Sequence, residues 1–159
     1  MKAALAQSSV GSVRSEIADG YTRLNSLLPP AERRGLVLID PPFETPDEFE
    51  LSARAVTGAL KRFANGIYLI WFPIKSAGEA YAFSGEILAA GANKALRIDF
   101  DIGIADDIGA KERLTSAGLI VVNPPFGFAD EMRASLAIVT PRISAAARSD
   151  IRWLVGHED

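Results

Sequence analysis

Asp40-Pro41-Pro42-Phe43 is the segment of this chain whose residue types and order suit chemistry. An Asp, two prolines and an aromatic, placed directly after the apolar run Leu36-Val37-Leu38-Ile39, fit the methylation of an exocyclic amine. The lone pair of such a nitrogen is delocalised into its ring, which makes it a poor nucleophile. A carboxylate and a neighbouring backbone carbonyl each accept one of its N–H bonds. This favours the pyramidal, electron-rich nitrogen that attacks a sulfonium methyl. The prolines stiffen the turn and contribute no N–H, so the surrounding carbonyls stay available as acceptors. Phe43 is expected to stack on a base taken out of its helix. The same four residues also suit a plain strand-ending turn, and by themselves they leave both readings open.

Other segments compete or assist. Asn123-Pro124-Pro125-Phe126 also follows an apolar run, and Asn can replace Asp in this chemistry. No parallel strand follows it to complete a crossover, so it reads as a structural turn. Asp19-Gly20 offers a carboxylate that can accept from a cofactor's adenine and a glycine that permits close approach; it equally suits an ordinary turn. Trp71 and Phe72 read as core. Arg33-Arg34 and Lys61-Arg62 either touch phosphate or solvate a turn and a helix face. At a net charge of −3 the solvating role is the expected one.

Absent residue types narrow the chemistry. The chain has no Cys, which removes disulfides, Cys-ligated zinc, iron–sulfur clusters and thiol nucleophiles. Its one histidine, His157, is third from the C-terminus, so His general bases and His-ligated metals have little support. The 159 residues are 48% apolar and 23% charged, the composition of one globular domain. No run approaches the length of a membrane span, and the apolar part of the N-terminus is too short for a secretory signal. A cytoplasmic address fits best.

The elements that must position these residues follow from periodicity. Val13–Ala18 alternates and ends at Asp19-Gly20, which predicts a short strand. Tyr21, Leu24, Leu27 and Leu28 are spaced for a helix stopped by Pro29-Pro30. Leu36–Ile39 and Ile67–Phe72 are unbroken apolar runs, expected as strands buried on both faces of a parallel sheet. Thr45-Pro46-Asp47-Glu48 and Ser76-Ala77-Gly78-Glu79 carry capping-box signatures. The first opens a helix with Phe49, Ala53, Val56, Leu60 and Phe63 on one stripe; the second opens one with Phe83, Ile87 and Leu88 inward and Gly91 as its stop. Leu96, Ile98, Phe100 and Ile102 alternate with charged residues, predicting a half-exposed strand in an antiparallel pair. Leu119–Val122 is again apolar. A final helix bears Phe128, Met132, Leu136 and Val139, before a short Ile151–Val155 end. Strand–helix alternation of this kind defines an α/β sheet. Its ligands are expected beyond the carboxyl ends of the strands, where Asp19-Gly20, Asp40–Glu44 and Trp71–Pro73 should share one rim.

With these residues in place the chain resembles a known family. Leu27-Leu28-Pro29-Pro30, Arg33 to Glu44, Arg62-Phe63-Ala64-Asn65-Gly66, Leu69-Ile70-Trp71-Phe72-Pro73 and Ser116 to Phe126 are similar to the bacterial 23S ribosomal RNA adenine-N6 methyltransferase family J. The likeness covers roughly Val13 to Val155. It implies a class I, Rossmann-like S-adenosylmethionine-dependent methyltransferase sheet, of strand order 3-2-1-4-5-7-6, acting on one adenine of 23S ribosomal RNA. Asp40, Pro41, Pro42 and Phe43 would form the catalytic motif, and Asp19 and Gly20 would lie near the cofactor's adenine. The family's older label, tied to use of external DNA as a nutrient, ranks below RNA modification.

Members of that family are nearly twice as long, and the resemblance is to their C-terminal half. The missing half supplies the first sheet strands and a glycine-rich cofactor loop, and no Gly-x-Gly turn follows a strand here. The expectation is therefore a truncated form, with residues 1–12 an N-terminal remnant or disordered and 13–159 the C-terminal part of a methyltransferase domain. Methyl transfer by the chain alone is expected to be lost, and Leu36–Ile39 is expected to lack a neighbour. Two further functions stay open: a non-catalytic remnant that binds nucleic acid or forms a homo-oligomer through that edge, and an amino-methyltransferase for guanine N2 or glutamine using Asn123–Phe126.

Overall fold

The computed structural model describes residues 15–104 and 114–157. In chain order these form α1 (Gly20–Leu27), β1 (Leu36–Ile39), α2 (Glu48–Arg62), β2 (Ile67–Pro73), α3 (Ala77–Ala89), β3 (Ala95–Asp101), β4 (Ser116–Val122), α4 (Phe128–Ile143) and β5 (Arg148–Val155). The strands make one sheet in the order β1-β2-β4-β3-β5. β1 runs parallel to β2, with Leu36 opposite Ile67 and Ile39 opposite Ile70. β4 inserts antiparallel between β2 and β3, and β5 lies antiparallel on the outer side of β3. β1, β2 and β3 thus point one way, and their carboxyl ends form one rim.

Helices cover both faces because the inner strands are apolar on both. On one face Tyr68, Ile70, Phe72, Ile120 and Val122 pack with Val56 and Leu60 of α2 and Phe83 and Ile87 of α3. On the other, Leu96, Ile98 and Val121 meet Ala129, Met132 and Leu136 of α4. Burying side chains of this size contributes roughly 1.5–3 kcal/mol each, which holds the layers together. The close approach of β2 and β4 depends on Gly118, opposite Phe72: a Cβ there would stand 2.1 Å from the Phe72 ring.

Four sequence expectations need correction. Residues 15–19 form no strand; Asp19 instead caps α1, and Val13 and Arg14 lie outside the described residues. Alternation makes a strand only where a ladder partner exists, and none is adjacent there. β1 is not buried on both faces: as the sheet's edge it leaves Leu36 59% and Leu38 62% exposed. Third, β3 is interior, not half-exposed. Its Arg97 is 3% exposed, donates to the Ala80 carbonyl (2.8 Å), Ser84 Oγ (2.9 Å) and Asp99 (2.7 Å), and lies over the Phe72 ring. Finally, α2 starts at Glu48 with Asp47 at its N-cap, so the Thr45–Glu48 signature does not cap it; the Ser76–Glu79 box does cap α3, at 3.2 Å.

Candidate functional site

At the carboxyl end of β1 the chain turns through Asp40-Pro41-Pro42-Phe43 into the loop before α2. A cleft of about 330 Å³ opens there, lined by Asp19, Gly20, Tyr21 and Leu24 of the α1 segment, Val37 to Pro42, and Glu48. That volume lies at the small end of the range for small-molecule sites. The Asp19-Gly20 and Asp40 segments therefore meet, as their sequence suggested. Asp19 reaches the cleft from a helix start and not from a strand end.

Asp40 is exposed at the cleft mouth, and among the described residues its carboxylate has no hydrogen-bond or ion-pair partner. Asp19 is engaged locally: it accepts from the Tyr21 N–H at 3.0 Å and the Thr22 hydroxyl at 2.7 Å. The Thr22 hydrogen bond, ahead of the backbone ones, holds its carboxyl below the usual value of 3.8.

The Phe43 ring lies in the core. Its ring is 7% exposed, packs 4.8 Å from Phe49 and 5.9 Å from Trp71, and does not line the cleft. Its backbone sits at φ 51°, in the left-handed region where a bulky residue costs roughly 1–3 kcal/mol. Burial of the ring offsets that cost and fixes the turn. In this conformation the edge of Phe43 borders a separate cavity of about 260 Å³, with Thr45, Phe49 and Lys75, and not the Asp40 cleft. Trp71 and Phe72 belong to the core, as expected, Trp71 partly exposed at its border.

Glu48 and Tyr21 were not singled out by sequence reasoning. Glu48 is 7% exposed and lies in no ion pair among the described residues. Its Oε1 accepts from the Tyr21 hydroxyl at 2.5 Å and its Oε2 from the Thr45 hydroxyl at 3.2 Å; Ser52 Oγ is 3.0 Å from the same phenol. Burial and the Glu48 carboxylate push the Tyr21 phenol up to about 12, so at neutral pH it stays a donor. This cluster ties the start of α1 to the start of α2, and hence the Asp19 side of the cleft to the Asp40 side. The usable signal was Glu48 itself, whose position three residues after Thr45 also suits a capping box.

The second Pro-Pro turn lies elsewhere. β4 is antiparallel to β2, so Asn123 falls at the opposite end of the sheet, beside the start of β2. Its amide Nδ2 donates to the Ala64 and Gly66 carbonyls, both at 2.8 Å. Asn123 thus fastens the α2–β2 turn, which agrees with its reading as structural.

A cationic nucleoside suits the cleft on two counts, its three carboxylates (Asp19, Asp40, Glu48) and its apolar walls (Leu24, Val37, Ile39). The strand order is that of the 4-5-7-6 portion of a class I sheet with one strand added outside. Fold and cleft position together define a Rossmann-like α/β sheet of the S-adenosylmethionine-dependent methyltransferase type.

A family model described as ribosomal RNA large subunit methyltransferase D, RlmJ, matches residues 1–155, and the chain belongs to that family. A Haemophilus influenzae protein named ribosomal RNA large subunit methyltransferase J is 35% identical over 122 residues, 77% of this chain and 42% of that protein. The Escherichia coli protein of the same name is 32% identical over 144 residues, 89% of this chain and 50% of that protein. A crystal structure of a Legionella pneumophila protein superposes with a TM-score of 0.76 at 29% identity, covering 85% of this chain and 49% of that one. The chain spans about half the length of the curated relatives it matches. Among the described residues, no helix is long and apolar enough to cross a membrane.

Proposed function

We propose that this chain carries the acceptor side of an S-adenosylmethionine-dependent methyltransferase acting on adenine N6 in 23S ribosomal RNA. The observation that carries this reading is the unpartnered Asp40 carboxylate at the mouth of an acid-lined cleft, beyond the carboxyl end of β1. Asp40 and a carbonyl of the Pro41-Pro42 turn accept the two N–H bonds of the exocyclic amine and sharpen its lone pair. Phe43 holds that turn; stacking on a base requires its ring to leave Phe49 and Trp71. Asp19 and Gly20, which line the same cleft, would face the cofactor's adenine, and the cofactor would supply an electrophilic methyl group. Residues 13–159 act as the C-terminal part of a methyltransferase domain. A cytoplasmic setting goes with a ribosomal RNA substrate.

The test is a chimera in which this chain follows the portion of the Escherichia coli relative outside the match. It should transfer labelled methyl to 23S ribosomal RNA, recovered as N6-methyladenosine. Asp40→Ala should lower transfer by a factor of about 100 or more with the fold intact. Activity retained in that variant, or label recovered on another base, would sink the assignment.

One observation favours a second reading, homo-oligomerisation: among the described residues β1 has no partner strand on its outer side, and Leu36 and Leu38 are exposed. Such an edge is a template for pairing with another chain. Methylation of guanine N2 or glutamine through Asn123 has no comparable support, because that amide is already committed.

A further inference from the structure

The amino end of the parallel strands, opposite Asp40, gathers features that the methyl-transfer reading does not use. Arg33 and Arg34 precede β1, Lys61 and Arg62 close α2, and Lys94 precedes β3. Backbone and side-chain hydrogen bonds join these segments: the Ile67 N–H donates to the Gly35 carbonyl at 3.1 Å, and the Asn123 N–H donates to the Lys94 carbonyl at 2.8 Å. The Asn123 amide then bridges to Ala64 and Gly66 beyond Arg62. The topology thereby assembles cations that the sequence showed only as separate pairs.

Among the described residues none of these five is in an ion pair, whereas Arg97, Arg133 and Arg152 all are. Arg33, Arg34, Lys61 and Arg62 are exposed. On a chain of net charge −3, these cations outnumber the carboxylates placed beside them, Glu32 and the Asp130 and Glu131 of the first turn of α4, so this end is locally basic. Lys61 and Asn123 also line a cavity of about 240 Å³ with Ala64 and Asn93. Beside it, the Pro124-Pro125 turn holds Phe126 86% exposed. A rigid turn that offers an aromatic face beside free cations has the two elements of a single-stranded nucleic-acid surface, phosphate contacts and a stacking platform.

We infer that this end of the sheet binds single-stranded RNA, with Arg33, Arg34, Lys61 and Arg62 on phosphates and Phe126 stacked on a base. The choice of RNA rests on the proposed function; the surface itself is separate from the Asp40 cleft. The two lie about 20 Å apart at ~3.3 Å per residue of strand. They would therefore engage different stretches of one RNA.

Fluorescence anisotropy of a fluorescein-labelled 20-nucleotide single-stranded RNA with the 159-residue chain tests this, in the absence of any methyl donor. Binding should weaken with salt. The combined Arg33→Glu, Arg34→Glu, Lys61→Glu, Arg62→Glu variant should lose at least about tenfold in affinity and flatten the salt dependence by roughly 3 in log–log slope. Phe126→Ala should weaken binding about fivefold or more while keeping the slope. Lys75→Glu, the same charge change near the opposite rim, should do far less than Lys61→Glu. All these positions are exposed except half-buried Lys94, which is left unchanged, so unaltered melting curves are expected. An RNA-binding chain indifferent to these changes, equal losses for Lys75→Glu and Lys61→Glu, or no RNA binding by the wild-type chain would each overturn the inference. A chain that binds RNA here but transfers no methyl in the chimera removes only the reading of Asp40.

Discussion

Tyr21 joins the two sides of the cleft. Its N–H holds Asp19 and its hydroxyl reaches Glu48 and Ser52 on α2. Tyr21→Phe keeps the ring in the core but leaves Glu48 with the Thr45 hydroxyl alone. The expected cost is about 1–3 kcal/mol in chemical denaturation at neutral pH, since a buried carboxylate loses a donor. The phenols of Tyr21 and Tyr68 are both pushed up to about 12, Tyr68 by burial. Because the folded state retains these protons after the unfolded chain releases them near 10, the associated stability is full below pH 10 and is lost as pH rises toward 12. Tyrosinate absorbance should show both transitions near 12 in the folded protein, and one of them should vanish in Tyr21→Phe. Asp19 acts at the other extreme. Its depressed value adds stability that is present above 3.8 and disappears as pH falls through its folded value. The position of Asp40 beyond the carboxyl end of a strand was legible in the sequence, because Pro41-Pro42 must end the apolar run Leu36–Ile39 there. Glu48 was not, because a Glu three residues after a Thr is also what a helix cap looks like.

At the scale of elements, apolar runs were readable and their surroundings were not. Ile67–Phe72 and Leu119–Val122 are inner strands, paired on both sides, as their apolar runs suggested. Leu36–Ile39 has the same composition but stands at an edge, since its sequence does not say whether a partner strand is present. β3 misled through its alternating charges. Arg97 is buried because α3 turns a carbonyl and a hydroxyl toward it, a compensation that exists only after the helix has docked. That the Phe43 ring packs on Phe49 and Trp71 was not readable from its own segment, because only the tertiary arrangement brings those two rings to it. The pairing of β2 with β4 offers a direct check on packing. Gly118→Ala places a methyl against the Phe72 ring, which is fully buried and leans on Phe83. Thermal and denaturant unfolding should show a loss of about 1–3 kcal/mol. A neutral result would mean that the two strands separate more easily than their register implies.

At the scale of the whole molecule, the described strands make one five-stranded sheet, in a chain about half the length of the curated relatives it matches. Among the described residues β1 is the edge strand of that sheet, with Leu36 and Leu38 exposed. If two copies cover that edge by pairing, light scattering should show dimer growing with concentration, and Leu38→Lys should restore the monomer. A wild-type monomer at every concentration would remove the oligomer reading. The central claim concerns the cleft, and the most direct measurement is an NMR titration of the isotope-labelled chain with S-adenosylhomocysteine at millimolar concentration. That method registers even weak binding. The account expects amide shifts at Asp19, Gly20, Tyr21, Ile39 and Asp40, with the Asn123 end unchanged. Shifts confined to the Asn123 end, or none at all, would contradict it.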